Sequence, residues 1–493
     1  MNKRCHALVA LLLAAVTAVS AGCQSSPTPS PDPGTSADES AVTTPAPETE
    51  PPEETLPEKN YDGADFTVFA EGYLTQDYAG FYLADEAVGE TVNDAAYERN
   101  RAVEDRYGIK LHYTPDIKRN DFSVFTQSAT AGDKEFDLVS GIAAFLNDLV
   151  VPGYLADLNT VSQIDLSRSY YFPYINDEMS MLGRQYTVCG NFDMATILRT
   201  SVVFFSTKIA SDNSLGDFYS LVEKDEWTYD KMLSLASQAY ADLDGDGEAS
   251  AADQYGLCGG YNMNSMLITA TGYHFTTLDD KGNRHPTGYN DLLINFNKLL
   301  YDTYNQKWYY NCYPYGGKNA FNTEGKPGFI QNRYLFFLQD ISYAKDFASE
   351  MGDYGILPIP KYEETQKNYF SYCRPTISAI PSSVKDQERS ALVLEALNLE
   401  SKKIMMPAYY NVALSSRYAA SKEASQVLDT IFSNVACDFT QLWYRALGLS
   451  PNLHTTVGIS ENYVSLYEGL APKFEQTLSD LLAGVAKLET SET

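Results

Sequence analysis

Acidic residues alternate along the stretch from Asp242 to Asp253, which reads DLDGDGEASAAD. Asp242, Asp244 and Asp246 take the first, third and fifth positions of this stretch, and a glycine takes the sixth. Calcium loops place oxygen ligands at these positions because the chain wraps around one ion and turns sharply at the glycine. The pattern predicts a structural calcium ion with these ligands: Asp242, Asp244, Asp246, Glu248 through its backbone carbonyl, and Asp253.

Two features of the stretch depart from the usual calcium loop. Asp253 is shorter than the glutamate common at the twelfth position, and Ala249 replaces a large apolar residue at the eighth. The alternative interpretation is a solvated acidic turn. Carboxylates this close together repel one another without a cation, which favours calcium.

Patterns that support catalysis are missing from the sequence. The 5 histidines show no metal-binding spacing. We find no Gly-x-Ser-x-Gly elbow and no phosphate-cradling glycine loop. Paired carboxylates for glycoside hydrolysis are recognised by their separation in space, so the sequence leaves that activity open. We expect a binding protein rather than an enzyme.

Strand and helix patterns alternate in the first part of the chain. Strands are predicted at 65–70, 109–115 and 136–142, with helices at 89–108 and 121–133 between them. This order predicts an α/β fold with parallel strands. Ligands bind beyond the carboxyl ends of such strands, which makes Glu71 and Asn147 candidate binding residues.

The later part of the chain supplies further polar candidates near strand ends. A helix is predicted at 220–243 with Thr228 as its cap, and another at 388–403, while 351–362 holds a short apolar strand interrupted by prolines. Asp340 and Arg374 each lie at or after a predicted strand end or crossover. A guanidinium such as that of Arg374 can bind sugar hydroxyls or pair with a carboxylate, and the alternative is a salt bridge at the rim.

The N-terminus has the features of a secreted lipoprotein. Lys3 and Arg4 precede an apolar run at 7–19, which is too short to span a bilayer and reads as a signal peptide. The segment ends SAGC and resembles the lipobox of bacterial lipoproteins, with Ser20 as a departure. The resemblance implies a diacylglyceryl group on Cys23, and two acyl chains give stable membrane anchoring. Residues 24–58 are rich in Pro, Ser, Thr and Glu, which predicts a disordered linker.

The net charge of −29 argues against a nucleic-acid partner, because phosphate neutralisation needs clustered Lys and Arg. After the signal peptide there is no second apolar run of membrane length. Of the 7 cysteines, Cys5 leaves with the signal peptide and Cys23 carries lipid. The others are widely scattered, and we expect buried thiols in the core.

Five segments together resemble one family of transport proteins. They span most of the chain in order and read GETVNDAAYERNRAVEDRYGIKL, DEWTYDKM, DLDGDGEASAADQYGL, DYGILPIPKYEETQKNYFS and LVLEALNLESKKIMMPAYYNVAL. The chain resembles the extracellular solute-binding proteins of sugar-importing ABC transporters, in the group that includes maltose-binding protein. None of these segments specifies a sugar.

The resemblance implies a fold that periodicity alone does not give. It is a two-lobed periplasmic-binding-protein-like α/β fold of type II, with discontinuous lobes joined by hinge crossovers. The expected division is signal peptide 1–22, lipidated linker 23–59, first lobe 60–190 and 354–407, and second lobe 191–353 and 408–489 with the calcium loop. Ligand is captured between the lobes, hinge rotation closes the cleft, and a membrane permease receives the closed form. We expect a monomer.

The resemblance also implies two site residues. Asp193 stands where that group places a sugar-binding acid, and Trp443 resembles its stacking aromatic, with packing in the helix core as the alternative for Trp443. The expected ligand is a carbohydrate, in particular an oligosaccharide. Two alternatives stay open: the same scaffold with a peptide or charged solute, and a surface glycan-active enzyme or lectin.

Overall fold

The computed structural model describes residues 55–488 except 83, 85, 115–116, 281, 414–420 and 450–451. The predicted signal peptide at 1–22, the lipidation site Cys23 and the predicted linker as far as residue 54 lie outside the described residues. Among the described residues, no helix combines the length and the apolar character that crossing a membrane requires.

The described strands belong to two larger sheets and two short pairs. The strands are β1 (Ala64–Ala70), β2 (Ile109–Tyr113), β3 (Leu138–Ile142), β4 (Ser201–Phe205), β5 (Tyr255–Gly260), β6 (Thr276–Leu278), β7 (Arg284–Pro286), β8 (Tyr309–Tyr313), β9 (Tyr334–Asp340), β10 (Gly355–Leu357), β11 (Ser371–Tyr372), β12 (Thr376–Ala379) and β13 (Val435–Ala436).

Helices cover the sheets and connect their strands. They are α1 (Gly72–Asp77), α2 (Ala79–Tyr82), α3 (Thr91–Tyr107), α4 (Ser123–Ala131), α5 (Ala143–Leu146), α6 (Pro173–Met179), α7 (Met194–Leu198), α8 (Thr207–Asp212), α9 (Phe218–Glu223), α10 (Tyr229–Gln238), α11 (Met263–Ala270), α12 (Asp291–Tyr304), α13 (Lys326–Ile330), α14 (Ala344–Glu350), α15 (Gln387–Glu400), α16 (Met406–Ala413), α17 (Lys422–Ser433), α18 (Phe439–Leu442), α19 (Leu453–Thr456) and α20 (Tyr463–Ala486). Single 3₁₀ turns lie at Asn147–Leu149, Leu158–Thr160 and Ile341–Tyr343, and π-helical turns at Phe321–Gly325 and Ser401–Met405.

The first sheet has the strand order β12-β3-β1-β2. β1 is parallel to β2 and β3, which confirms the predicted parallel core. β12 joins from far along the chain and runs antiparallel to β3. Helix α3 packs its buried face, with Val103 and Tyr107, beside this sheet, and Gly108 caps its C-terminus. Gly108 has a φ of 59°, a left-handed conformation that glycine adopts without a Cβ penalty.

The second sheet has the strand order β10-β4-β9-β5-β8. β5 is parallel to β8 and β9, whereas β4 runs antiparallel to both β9 and β10. The central strand β9 is buried at every residue, as expected of a strand that is covered on both faces. The order of strands along the chain shows that each sheet is assembled from separated segments.

The folded part of the chain begins earlier than the predicted linker boundary at residue 59. Leu56 is buried, and its carbonyl accepts a hydrogen bond from the Arg106 guanidinium. Glu58 pairs with Arg106 at 3.0 Å. Leu56, an apolar residue inside a polar segment, therefore marks the beginning of the folded part.

Two other predicted bounds differ from the structure. Residues 220–243 do not form one helix: α9 ends at Glu223, and α10 begins after Thr228, whose hydroxyl accepts from the backbone N–H of Lys231. Gly355–Leu357 was assigned to the first lobe, but this strand pairs with β4 in the second sheet. The described residues from Thr55 onward belong to one compact unit, and the remaining lobe boundaries stay a prediction.

Candidate functional site

The carboxyl end of the first sheet meets one end of the second sheet. Tyr73 follows β1 and Arg374 precedes the antiparallel β12, so both lie at this end of the first sheet. Asp340 ends β9 and Arg199 precedes the antiparallel β4, so both lie at the same end of the second sheet. Side chains from four separated segments therefore converge at this junction.

Arg199 is the most unusual side chain at the junction. It is 7% exposed, and its guanidinium carbon lies 4.9 Å from the centre of the Tyr73 ring. Its Nε and Nη1 atoms are buried and have no hydrogen-bond partner among the described residues. Neither is there an acidic side chain within salt-bridge distance of it in the described part of the chain. Because a buried cation without a partner is costly, this position is suited to a ligand that supplies acceptor oxygens.

Arg374 and Asp340 form a second polar group at the junction. The Arg374 guanidinium donates to the Asp340 carboxylate, and the negative charge of Asp340 raises the pKa of Arg374. The Asp340 side chain is 9% exposed, whereas that of Arg374 is 47% exposed. The pair presents guanidinium nitrogens toward solvent while the carboxylate holds the side chain in place.

Tyrosines surround these charged groups. The hydroxyl of Tyr73 lies 3.2 Å from that of Tyr78, and burial raises the pKa of Tyr78. A cavity of about 280 Å³ adjoins Tyr78. It is lined by Phe81 on the side of the first sheet and by Ser342 and Lys345 on the side of the second. Aromatic faces beside a few directed polar groups are typical of small-molecule sites.

A further link between segments lies near the carboxyl end of β3. The Arg445 Nε donates to Asp148 at 2.9 Å, and its guanidinium carbon lies 4.0 Å from the centre of the Phe145 ring. Asn147, a predicted site residue, is buried here, and its amide donates to the Leu442 carbonyl at 3.2 Å. Asn147 therefore ties the end of the first sheet to α18.

Glu71 is also buried and holds the backbone next to the junction. Its carboxylate accepts from the backbone N–H groups of Tyr73 at 3.0 Å and of Asn120. Burial raises the pKa of Glu71. It thereby positions Tyr73 at the start of α1. One of its oxygens accepts both hydrogen bonds, and the other is buried without a partner among the described residues.

Asp193 and Trp443 lie beneath the surface of the described structure. Asp193 accepts from the Ser378 hydroxyl at 2.9 Å and from the Gly190 N–H at 3.2 Å, and burial raises its pKa to about 8. Trp443 is 1% exposed and stacks on Phe439 with ring centres 5.8 Å apart. Both would have to be uncovered before a ligand could reach them.

The structure thus brings Asp340 and Arg374 together and adds residues that sequence reasoning missed. Arg199 is the only charged residue between Met194 and Phe205, and this isolated charge was the available signal. Tyr73 stands two residues after Glu71 at the same strand end. The contact of Phe145 with Arg445 joins distant segments, and no local sequence pattern predicts it.

A larger cavity, of about 560 Å³, lies elsewhere, between the 166–173 segment and α16 and α17. Tyr171, Met406 and Phe432 are among its lining residues, and Arg168 and Lys402 supply its basic groups. Arg199 is not among its lining residues. We place the candidate site at the junction itself, because Arg199 with its unpaired nitrogens lies there, and the smaller cavity adjoins the junction at Tyr78 and Leu198.

The predicted calcium loop connects α10 to β5. The carboxylates of Asp242, Asp244 and Asp246 all lie within 4.8 Å of one another, as one cation requires. Gly247 has a φ of 79° at the sharp turn. Asp253 is buried, and its two oxygens accept from the backbone N–H groups of Leu243 at 3.1 Å and Ser250 at 2.9 Å. The Glu248 side chain is exposed, in keeping with a ligand role for its carbonyl only.

A second group of charged side chains lies between α6 and the start of α18. His274 Nδ1 lies 3.1 Å from Glu178 and 3.6 Å from Asp438, and these contacts raise the pKa of His274 to about 10. Arg284 holds the other Glu178 oxygen at 2.9 Å. Two cations already balance the two carboxylates, so this group is an ion-pair network between segments of the fold.

All cysteines in the described part of the chain are buried and free, in agreement with the expectation of core thiols: Cys189, Cys258, Cys312, Cys373 and Cys437.

Comparison with known proteins gives a result at the level of structure only. No protein-family model matches the chain. No curated protein matches it either.

Solved structures match along most of the chain. A sugar transporter from Rhizobium etli in an open conformation aligns with a TM-score of 0.58 and 13% identity, covering 86% of this chain and 99% of that one. The sugar-binding protein MalE from Xanthomonas citri aligns with a TM-score of 0.55 and 13% identity, over 87% and 100% of the chains. A cyclo/maltodextrin-binding protein complexed with maltotetraose aligns with a TM-score of 0.53 and 15% identity, over 86% and 97%.

These matches confirm the predicted fold. The chain has two mixed sheets, each assembled from separated segments. This is the two-lobed architecture of these sugar-binding proteins. At such low identity the similarity establishes the fold of the chain, and the ligand has to be argued from the site itself.

Proposed function

We propose that the protein captures a carbohydrate, in particular an oligosaccharide, at the junction of its two sheets. The observation that carries the proposal is the buried Arg199 guanidinium with unpaired nitrogens, beside Tyr73 and the Arg374–Asp340 pair. Aromatic faces pack against the C–H surface of a sugar ring, and fixed guanidinium and carboxylate groups bind its hydroxyls. The fold shared with sugar-binding proteins supports this assignment.

Capture requires no covalent chemistry. Closure of the lobes around the ligand would exclude water and strengthen each hydrogen bond in the cleft. A micromolar Kd, about −8 kcal/mol, would suit capture followed by release. We therefore propose a binding role. An enzymatic role is the alternative, and recovery of the ligand in intact form would decide against it.

The proposed cellular role draws on the N-terminal sequence and the fold. Diacylation of Cys23 would hold the protein at the extracellular face of the cell membrane, and the linker would let the folded part move near its partner. The proposed partner is the permease of an ABC importer, which would receive the sugar from a monomeric, ligand-closed form.

A second candidate ligand class is an anionic solute, such as a sugar acid or an acidic peptide. The Arg374 guanidinium pairs with Asp340, whereas the Arg199 guanidinium pairs with no described carboxylate. A ligand carboxylate would bind the Arg199 guanidinium through a charged hydrogen bond. Neutral and acidic sugars of the same length distinguish the two candidates.

We also propose that the loop at 242–253 binds calcium as a structural ion. The three converging carboxylates and the Glu248 carbonyl are the hard oxygen ligands that calcium prefers. When bound, the ion would offset the repulsion among these carboxylates and stabilise the connection between α10 and β5.

The test of the proposed function is a thermal-shift screen against neutral and acidic oligosaccharides, followed by calorimetric titration of each hit. We expect a rise in Tm with at least one sugar, and recovery of that sugar intact by chromatography. Cleaved product would assign an enzyme instead. The absence of a shift with every sugar, together with a shift from peptides, would overturn the carbohydrate assignment.

A further inference from the structure

A second aromatic surface lies on the second sheet, outside the junction. A groove of about 280 Å³ runs along β8 and is lined mainly by tyrosines. Tyr309 and Asn311 share one face of β8 because side chains alternate along a strand. Tyr301 and Asn305, at the end of α12, also line the groove.

The groove lies near the end of the sheet that carries Asp340. β5 pairs in parallel with β9, with Cys258 level with Phe337. Tyr261 follows β5 and Asp340 ends β9, so both lie at the same end of neighbouring strands. Tyr261 also lines the groove. Neighbouring strands are about 4.8 Å apart, so β8 lies two strand spacings from β9, with Tyr261 at the end of the strand between them.

The aromatic rings form a cluster at this connection. The Tyr261 ring lies 4.8 Å from that of Tyr313 and 5.6 Å from that of Tyr315, measured between ring centres. Tyr315 is 48% exposed, which is unusual for an aromatic side chain packed against others. At the far end of the groove, the rings of Tyr304 and Tyr309 lie 5.0 Å apart.

The polar groups of the groove differ in accessibility. Tyr309 is only 6% exposed, and its hydroxyl is buried without a hydrogen-bond partner among the described residues, so its ring rather than its hydroxyl faces the groove. The Asn311 carbonyl oxygen accepts from the Tyr313 N–H at 3.1 Å, which holds the side-chain amide in one orientation on the exposed face of β8.

The charge of the groove identifies the chemistry of its occupant. None of its described lining residues is charged, although the whole chain carries −29. Tyrosine rings with amide groups suit a neutral ligand that has both C–H faces and hydroxyls, which is the chemistry of a sugar.

We infer that the groove along β8 binds the distal sugar units of an oligosaccharide whose first units occupy the junction at Arg199 and Asp340. The inference rests on the proposed function. The protein then discriminates by chain length: longer oligosaccharides gain contacts that a disaccharide cannot reach.

The test is calorimetric titration of the whole protein with a length series, using maltodextrins of two to seven glucose units. If the glycan screen selects another sugar, the same series is built from that sugar. We expect the affinity to rise by at least about fivefold from the shortest to the longest bound member, as an added aromatic contact would give.

Two variants locate the gain. Tyr301→Ala and Asn311→Ala should each remove much of the increase with length and leave the affinity for the disaccharide unchanged. Tyr289→Ala is the matched control, since Tyr289 is 39% exposed and packs on Tyr467 away from the groove. Unchanged Tm values in the three variants would confirm folding.

The outcomes separate the two proposals. Disaccharide binding without any gain with length, or a full gain in Tyr301→Ala and Asn311→Ala, overturns the groove and leaves the proposed function standing. Failure of every length to bind in any sugar series overturns the proposed function, and the groove assignment with it.

Discussion

The calcium loop and the sheet junction place their functional groups in opposite ways. The loop draws its carboxylates from positions 242 to 246, so one short turn brings them within 4.8 Å of one another. The junction draws Tyr73, Arg199, Asp340 and Arg374 from segments separated by most of the chain. A local turn creates the first group, whereas the complete fold creates the second.

This difference determines what each group can do. A loop within one connection can bind an ion without moving any other element, which suits a structural role. A group that spans two sheets changes its geometry whenever the sheets move relative to each other, which suits ligand-dependent closure. Substitutions at the junction should therefore alter affinity, and substitutions in the loop should alter stability.

The largest effect is expected from Arg199→Met at the junction. Methionine keeps much of the length of the side chain but removes the unpaired guanidinium. We expect sugar affinity to fall by about a hundredfold, as loss of a buried charged hydrogen-bond partner typically costs a few kcal/mol. Calorimetric titration measures the loss. The Tm should hold or rise, because a buried cation without a partner is removed.

Arg99→Met is the matched control for Arg199→Met. Arg99 is also fully buried and lies over an aromatic ring, with its guanidinium carbon 5.2 Å from the centre of the Phe192 ring. Its Nε and Nη2 donate to Asn100 while its Nη1 is buried without a described partner, and it lies on α3 outside the junction. We expect a lower Tm and unchanged affinity. Equal losses of affinity in the two variants would contradict the assignment of Arg199 to the site.

A smaller loss of affinity is expected from Asp340→Asn. The substitution removes the charge that holds Arg374 in place, and we expect affinity to fall about tenfold. Asp137→Asn is the matched control, because Asp137 pairs with Arg389 at comparable burial but outside the junction. Titration of both variants checks the comparison, and an unchanged Kd in Asp340→Asn would remove the pair from the site.

The sequence predicted the strands and helices of the first sheet better than the residues that meet at the junction. The first three strands and the helices between them follow from periodicity, since each element carries its own pattern. The entry of β12 into the first sheet is a long-range pairing that no local pattern encodes, and the family resemblance assigned only its range, 354–407, to the first lobe. The same applies to Arg199, whose importance depends on the absence of a partner in three dimensions.

Burial explains why two predicted site residues support the fold instead of facing a ligand. Glu71 and Asn147 are predicted site residues because they follow strands. Glu71 directly follows β1, whereas α5 separates Asn147 from the end of β3. Sequence position did not indicate that their oxygens and amides would bind backbone groups instead of facing the cleft. Polar residues at strand ends thus serve either as ligand contacts or as supports, and only the surrounding packing distinguishes these roles.

Removal of calcium should affect stability and leave affinity unchanged. Chelation should lower the Tm by a few degrees, since an ion at a hundred times its Kd contributes about 2.7 kcal/mol to the folded state. Asp244→Asn should lose most of this response. Thermal melts with and without chelator, and one titration of the stripped protein with sugar, test both parts. A large change in sugar affinity on chelation would contradict the purely structural role.

The smallest effect concerns Asp193 and pH. Burial raises the pKa of Asp193 to about 8 in the folded protein, against 3.8 for the ordinary carboxyl group. The folded state therefore holds this proton more tightly than the unfolded state, and its stabilising effect is complete below pH 3.8 and lost as the pH rises through 8. Asp193→Asn, which cannot ionise, should remove this contribution. Plotted against pH from 4 to 9, the Tm of the variant minus that of the wild type should rise by a few degrees. A difference that stays constant over this range would show that the buried carboxyl does not titrate there.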